Sequence, residues 1–328
     1  VNNVTRDYYV LSFPVQDTWD GRFHEIKVRV KRPGLEVHAQ RGYFSPKPFK
    51  ELSDFEKRLE LFDLAVGDSA EEGSSIVVPA VAIPIGGGSW ENCLAICTVP
   101  GGTLRESGGG RVEILQVVLN AQHSIVTGRR AELNLSSLPT KDAAFYGLFS
   151  LRPGDYRLRT VIRNLESGES AVGGVPITIA TAPVKGLELS PPLLVLPEKP
   201  GSYVRITEAK SGGRSIHDLF VLLPDKSRLA LDAVESGTKT VQAVLRCSAP
   251  ELSTADLLTS VWILNRKTGE SLRVVHKIVA AKKEYQNLNI LLDLQLPPLA
   301  PDTYELWVSL KDAGTGAEAK SSCTLNII

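Results

Sequence analysis

Apolar and polar residues alternate in short runs along most of this chain, and the runs stop at glycine, proline, asparagine or aspartate. A period of two marks β-strands with one buried face. Near the start, Tyr9, Leu11 and Phe13 alternate with Tyr8, Val10 and Ser12. Ile26, Val28 and Val30 then alternate with Lys27, Arg29 and Lys31, and Leu35, Val37 and Ala39 lead to Gly42-Tyr43-Phe44. These runs predict a three-stranded meander over 8–44. The period changes after Pro46 and Pro48. Ser53 and Glu56 have the spacing of a capping box, and Phe55, Leu59, Phe62 and Val66 recur at three and four, which predicts an amphipathic helix over 50–66 with those four on its buried side. Small and acidic residues from 67 to 75 read as a linker.

From Ile76 onward the expectation is all β. Strands are predicted over 76–85, 92–99, 111–120, 123–127, 131–136, 144–150, 155–164 and 172–180. The glycine-rich stretches Gly86–Gly88 and 101–110 fall between them as loops. Five prolines between 183 and 200 mark a connector holding one extended strand. Further strands are predicted over 203–208, 218–223, 239–247, 259–265, 271–280, 286–294, 303–311 and 319–327, with a hairpin turn at Lys267–Glu270 and a short helical turn at 253–258. Helix outside 50–66 should be scarce.

The two halves repeat one another. Leu151-Arg-Pro-Gly-Asp-Tyr156-Arg-Leu158 is echoed 148 residues later by Leu299-Ala-Pro-Asp-Thr-Tyr304-Glu-Leu306, and the same offset carries Asn164 onto Asp312 and Gly168 onto Gly316. A tyrosine after a proline turn, opening an alternating run, is the pattern of a tyrosine corner, in which the hydroxyl bonds back to backbone a few residues upstream. Tyr156 and Tyr304 are assigned that structural role. The expected fold is mainly β: two tandem immunoglobulin-like sandwiches preceded by a three-stranded meander and one linking helix. The boundaries are 1–48 for the meander, 49–68 for the helix, 69–182 for the first sandwich, and 183–328 for the second with its proline-rich lead-in.

Three pieces near the start form an ordered set: Tyr8-Tyr9-Val-Leu-Ser-Phe-Pro14, then Asp20-Gly21-Arg-Phe-His-Glu-Ile26-Lys-Val-Arg-Val-Lys-Arg-Pro33-Gly34, then Arg41-Gly42-Tyr43-Phe44. Over about 45 residues this set resembles the C-terminal end of the von Willebrand factor A-related domain of many acidobacterial secreted proteins. The resemblance implies that residues 1–48 are the tail of such a domain in a parent adhesion or interaction protein, located outside the cytoplasm. It carries over no metal ligand. The family's Asp-x-Ser-x-Ser loop does not occur in this sequence, and the core that presents it would lie upstream of Val1. The absence of Met, including at position 1, likewise suggests a processed piece of a longer chain.

Composition narrows the function classes. Lys+Arg and Asp+Glu both number 37, so the chain lacks the basic excess that nucleic acid or an anionic membrane calls for. No apolar run reaches the roughly 18–20 residues of a membrane span. Cys93 and Cys97 fall four residues apart in one predicted strand, ~13 Å, too far for a disulfide. Cys247 with Cys323 remains open beside four buried thiols. No nucleophile signature such as Gly-x-Ser-x-Gly and no P-loop Gly-Lys-Ser/Thr appears, and the five histidines are scattered with no pair at metal-ligand spacing. Lys27, Arg29 and Lys31 are read as a solvated face.

No catalytic, cofactor-binding or metal-binding residue is therefore assigned, and no cofactor is expected. Trp262 and Trp307 fall within strand patterns and are expected to be core or half-buried packing. Trp90, beside a glycine loop, is the one candidate binding contact. The expected function is non-catalytic: an extracytoplasmic interaction, adhesion or stalk protein with a protein or cell-surface partner. The alternative is a carbohydrate or small-ligand module using Trp90 and the adjacent glycine loops, which exposed coplanar aromatics would favour and a buried Trp90 would count against. An enzyme would need acids or histidines gathered from distant strands.

Overall fold

The structure, a computed structural model, describes residues 20–31, 40–45, 47–67, 77–85, 92–99, 110–140, 142–180, 187–207, 214–248, 257–285 and 287–328. The chain is mainly β and divides into two compact units, 1–58 and 59–328.

In the first unit, β1 (Phe23–Glu25) pairs antiparallel with β2 (Gly42–Phe44). Ile26 and Ser45 extend the pairing by bonding the carbonyls of Arg41 and Arg22. The meander expected over 8–44 is only partly seen, because 8–19 and 32–39 lie outside the described residues. The strand expected from Ile26 to Lys31 does not form, and Val28 and Val30 are exposed. Two three-residue strands bury no sheet face that would hold a third run straight.

The helix α1 (Asp54–Val66) starts as expected: the Glu56 amide donates to Ser53 Oγ (3.3 Å), and Glu56 Oε2 accepts from the Ser53 amide (2.8 Å). Its buried side is a different one. Leu61 and Ala65 are fully buried, with Leu64 and Val66 beside them, whereas Phe55, Leu59 and Phe62 are exposed. The selection comes from what α1 rests on. Leu115, Val117, Leu119, Val161 and Val172 form an apolar seat for it. Glu113, Arg159 and Arg163 are buried in the same part of the molecule. Glu60 reaches Arg163 (3.8 Å), and Arg159 donates to the carbonyl of Gly67 at the helix C-terminus (2.6 Å).

That seat is the outer face of sheet I, ordered β6 (Ile125–Asn134), β5 (Arg111–Leu119), β8 (Gly154–Asn164), β9 (Ser170–Ile179), all antiparallel. Where two strands were expected in 123–136, β6 runs unbroken, because Gly128 sits against the Gln116 carbonyl and keeps the ladder continuous. Sheet I packs on sheet II, ordered β12 (Ser202–Arg205), β7 (Ala143–Phe149), β4 (Cys93–Thr98), β3 (Ala80–Pro84). Ile114, Val118, Leu158 and Ile162 from sheet I meet Ala95, Cys97, Phe145 and Phe149 from sheet II.

Sheet III is ordered β13 (Ser227–Leu229), β11 (Leu193–Pro200), β14 (Thr240–Ser248), β18 (Asn287–Gln295), β17 (Val275–Glu284), with β10 (Glu188–Leu189) also on β14. Sheet IV is ordered β16 (Ser271–Arg273), β15 (Leu257–Asn265), β19 (Asp302–Asp312), β20 (Glu318–Ile327). Val241, Leu245, Ile290 and Leu292 pack against Val261, Ile263, Leu306 and Val308 in the core between them. The single strand expected over 271–280 breaks at buried Val274, where the chain leaves sheet IV for sheet III.

Each pair of sheets has the same plan. β3, β4 and β7 face β6, β5, β8 and β9, while β11, β14 and β18 face β16, β15, β19 and β20. The second pair carries insertions. Between β11 and β14 the chain makes β12, the one-turn helix α2 (Ile216–Leu219) and β13. β12 joins sheet II in parallel with β7, so the chain crosses back over the boundary expected at 182/183. At 218–223, where a strand was expected, a capping box between Ser215 and Asp218 sets the helical turn instead. Ile216, Leu219, Phe220 and Leu223 fill a third core with Ile83, Leu94, Ile96 and Leu148 of sheet II and Leu193, Val195 and Val244 of sheet III. The central strands of sheets II and III are thus covered on both faces, which explains the nearly continuous apolar runs of β4 and β7.

Candidate functional site: the outer face of sheet IV

Side chains alternate across a strand, so the residues of β19 that do not enter the core stand on the outer face of sheet IV. One register row there reads Arg273, Trp262, Trp307, Ser322 across all four strands. The row beside it reads Ser271, Leu264, Glu305, Thr324. Trp262 and Trp307 are half-buried, their rings parallel to within 4° and their centroids 6.0 Å apart. That lies within the range of favourable aromatic pairing.

Glu305 is the anchored acid of this face. Burial works to raise its pKa, but hydrogen bonds from Arg266 (3.1 Å), Ser322 (3.1 Å) and the Trp307 side chain outweigh it and hold the carboxyl below its ordinary value. The carboxylate therefore fixes one indole and one hydroxyl in place. Leu258, 56% exposed, lies on the same face two rows away. The arrangement is an aromatic pair flanked by an anchored carboxylate, guanidinium groups and hydroxyls. Such a surface stacks on apolar or planar groups and offers hydrogen bonds at its margin.

Trp90 lies outside the described residues. Tyr156 donates its hydroxyl to the Arg152 carbonyl and Tyr304 to the Ala300 carbonyl, each at 3.0 Å and four residues upstream. The Trp262–Trp307 pair was not legible as a site, since 45 residues separate its members and only the β15–β19 register sets them side by side. Alternation within each strand places them on the outer face once that register is known.

The scattered histidines stay apart. His24 lies 3.1 Å from Asp20, His217 lies 3.5 Å from Asp225, and His276 lies 2.9 Å from Thr259 Oγ1. His217 stands on α2 rather than on a strand, and its sequence neighbour Asp218 caps the helix. Among the described residues no three His, Cys, Asp or Glu side chains gather as a metal site, and no helix is long and apolar enough to cross a membrane. All four cysteines are free thiols. Burial pushes Cys93, Cys97 and Cys323 up to about 12, and burial together with Glu188 does the same for Cys247 despite a backbone hydrogen bond that opposes it.

No protein family's sequence model matches this chain, and no curated protein matches it.

Proposed function

We propose that this chain is a non-catalytic interaction module of an extracytoplasmic protein, built from two immunoglobulin-like sandwiches fused back to back, and that it engages its partner through the outer face of sheet IV. The single observation that carries this reading is the parallel Trp262–Trp307 pair left half-exposed on a sheet whose other face is fully packed. Tryptophan is enriched among the residues that dominate binding energy, and its truncation there costs about 2 kcal/mol or more. The three-plus-four strand plan and the two tyrosine–carbonyl bonds support the immunoglobulin-like reading. The pairing of Phe23–Glu25 with Gly42–Phe44 agrees with the von Willebrand A-type tail that the first residues resemble, and with it an adhesion role.

A carbohydrate partner is the second reading, favoured by the same indole pair and its polar margin rather than by Trp90. Both readings are tested by measuring binding of the full chain to purified cell-envelope proteins and to immobilised polysaccharides, beside Trp262→Ala and Trp307→Ala. The expected result is saturable binding that weakens about 30-fold in either variant, the equivalent of ~2 kcal/mol, with an unchanged far-ultraviolet spectrum. Binding that both variants retain in full contradicts the assignment of this face. Binding to polysaccharide alone selects the second reading.

A further inference from the structure

An open sheet edge is a row of backbone N–H and C=O groups ready to pair with another strand, and folded proteins blunt such edges. Among the described residues, every edge but one is blunted here. β1, β2, β10, β12, β13 and β16 are two to four residues long, and β3 is five and ends at Pro84. β9 carries Pro176, and the Val78 amide already bonds its Val172 carbonyl. β6 and β17 have irregular registers, and each carries cations: Arg129 and Arg130 on β6, Lys277, Lys282 and Lys283 on β17. β20 is the exception, ten residues paired with β19 in one unbroken register.

Register fixes what β20 offers. The Asp312 amide donates to the Ala317 carbonyl (2.9 Å), so odd-numbered residues bond β19 and even-numbered ones turn their N–H and C=O outward. At the far end the chain itself uses this edge. The Val234 amide donates to the Asn326 carbonyl (2.8 Å), and the Val234 carbonyl accepts from the Ile328 amide (3.1 Å). Glu318, Lys320, Ser322 and Thr324 keep outward backbone groups, with side chains on the outer face of sheet IV. Glu318 lies 3.3 Å from Lys320 and opposite Lys311, so two lysines stand against one carboxylate at this end.

A second copy fits this edge poorly. Antiparallel pairing centred on Lys320 sets two lysines directly opposite, and centring on Ser321 leaves them diagonal on one face. Centring on Ser322 brings Glu318 to Asn326, whose carbonyl Val234 occupies. A strand with an acidic residue meets none of these obstacles.

We propose that the edge of β20 from Glu318 to Thr324 receives an extended segment of a partner protein, which joins sheet IV as an antiparallel strand with an acidic side chain opposite Lys320. Main-chain hydrogen bonds supply the affinity, and the acid sets the register. The site works through backbone groups at the sheet edge and needs neither indole, so it goes beyond the tryptophan face.

The test is a titration of the isotopically labelled full chain with the peptide acetyl-Thr-Val-Thr-Tyr-Thr-Glu-Thr-amide, followed by nuclear magnetic resonance. Its Glu falls opposite Lys320 when its Tyr falls opposite Ser322. The expected result is a saturable shift confined to residues 318–325 and strongest at the amides of Lys320, Ser322 and Thr324. Replacing the peptide's Glu by Lys weakens binding about 3-fold or more, and Lys320→Glu reverses that preference. Thr324→Pro removes one outward N–H, which an edge strand tolerates, and weakens binding by about 5-fold or more. The charge reversal at Lys320 decides the matter even if Thr324→Pro proves unstable. No saturable shift on β20 up to ~10 mM peptide, far above a millimolar dissociation constant, overturns the proposal, as does a charge preference that Lys320→Glu leaves unchanged. Shifts on β20 that follow the concentration of the chain alone, without peptide, give the edge to a second copy and overturn it too.

Discussion

The same chemical device closes three hairpins of this protein. Asn164, Asn265 and Asp312 each end a strand, accept backbone or hydroxyl hydrogen bonds on the side chain, and receive a bond on the carbonyl from the amide of a glycine four residues on. Those glycines, Gly168, Gly269 and Gly316, have φ of 79°, 73° and 75°, the left-handed region a side chain resists. Two of the three loops follow a tyrosine whose hydroxyl ties down the preceding turn. Removing that hydroxyl deletes one hydrogen bond, so Tyr304→Phe should lower unfolding stability by about 1 kcal/mol. Tyr304 is buried, while the Tyr156 bond is exposed to water, so Tyr156→Phe should cost less in the same denaturant titration. A larger loss at Tyr156 contradicts this ranking. Glu56 gives a pH prediction. Hydrogen bonds from Lys47 first, and then from Ser53, bring its pKa from an ordinary 4.5 to about 2. A depressed carboxyl contributes above its unfolded pKa and loses that contribution as pH falls through the folded one. The Ser53 amide resonance of the folded chain should therefore titrate with a midpoint near 2, and a midpoint near 4.5 contradicts the cap.

At the scale of elements, local chemistry was readable and partnership was not. The Ser53–Glu56 cap, the strands of sheet I around Tyr156 and the hairpin after Asn265 follow from residues a few positions apart, and the structure has them. Which side of α1 is buried depends on Leu115, Val117 and Val161, far away in sequence, and of the four residues periodicity chose only Val66 packs there, because the large Phe55, Leu59 and Phe62 outscore Leu61 and Ala65. The helical turn at α2 was hidden because Leu219, Phe220, Val221, Leu222 and Leu223 read as a strand until Ser215 and Asp218 are recognised as a cap. The tryptophan pair needed the register of β15 against β19. The orientation of α1 is checked by comparing two substitutions. Leu61→Ala leaves a cavity in a closed core and should cost about 2–5 kcal/mol, whereas Phe62→Ala, on an exposed side chain, should change stability by less than ~1 kcal/mol. Equal losses in chemical denaturation contradict the buried side described here. At the edge of sheet III, β17 carries Lys277, Lys282 and Lys283 and an irregularity between Ile278 and Ala280. Both features discourage a second chain from adding a strand there.

Over the second unit, residues 59–66 of α1, sheet I, sheet II, sheet III and sheet IV follow one another in layers joined by four kinds of apolar contact. The contact between sheets II and III makes this a fused pair rather than two beads on a linker. Interfaces between domains of one chain are ordinarily polar and permit relative motion. Here described residues between β11 and β14 fill much of that interface, with β12 joining the neighbouring sheet and Ile216, Leu219, Phe220 and Leu223 packing into the core between the sheets. Fusion fixes the tryptophan face relative to the first sandwich. Hydrogen exchange, followed by mass spectrometry across a denaturant series in the wild-type chain and in Phe220→Ala, tests that fusion most directly. The account predicts that β5 and β8 lose protection at the same denaturant concentration as β14 and β18, and that Phe220→Ala lowers protection in both sandwiches by the equivalent of about 3–5 kcal/mol. Two separate transitions in the wild type, with Phe220→Ala shifting only one of them, contradict it.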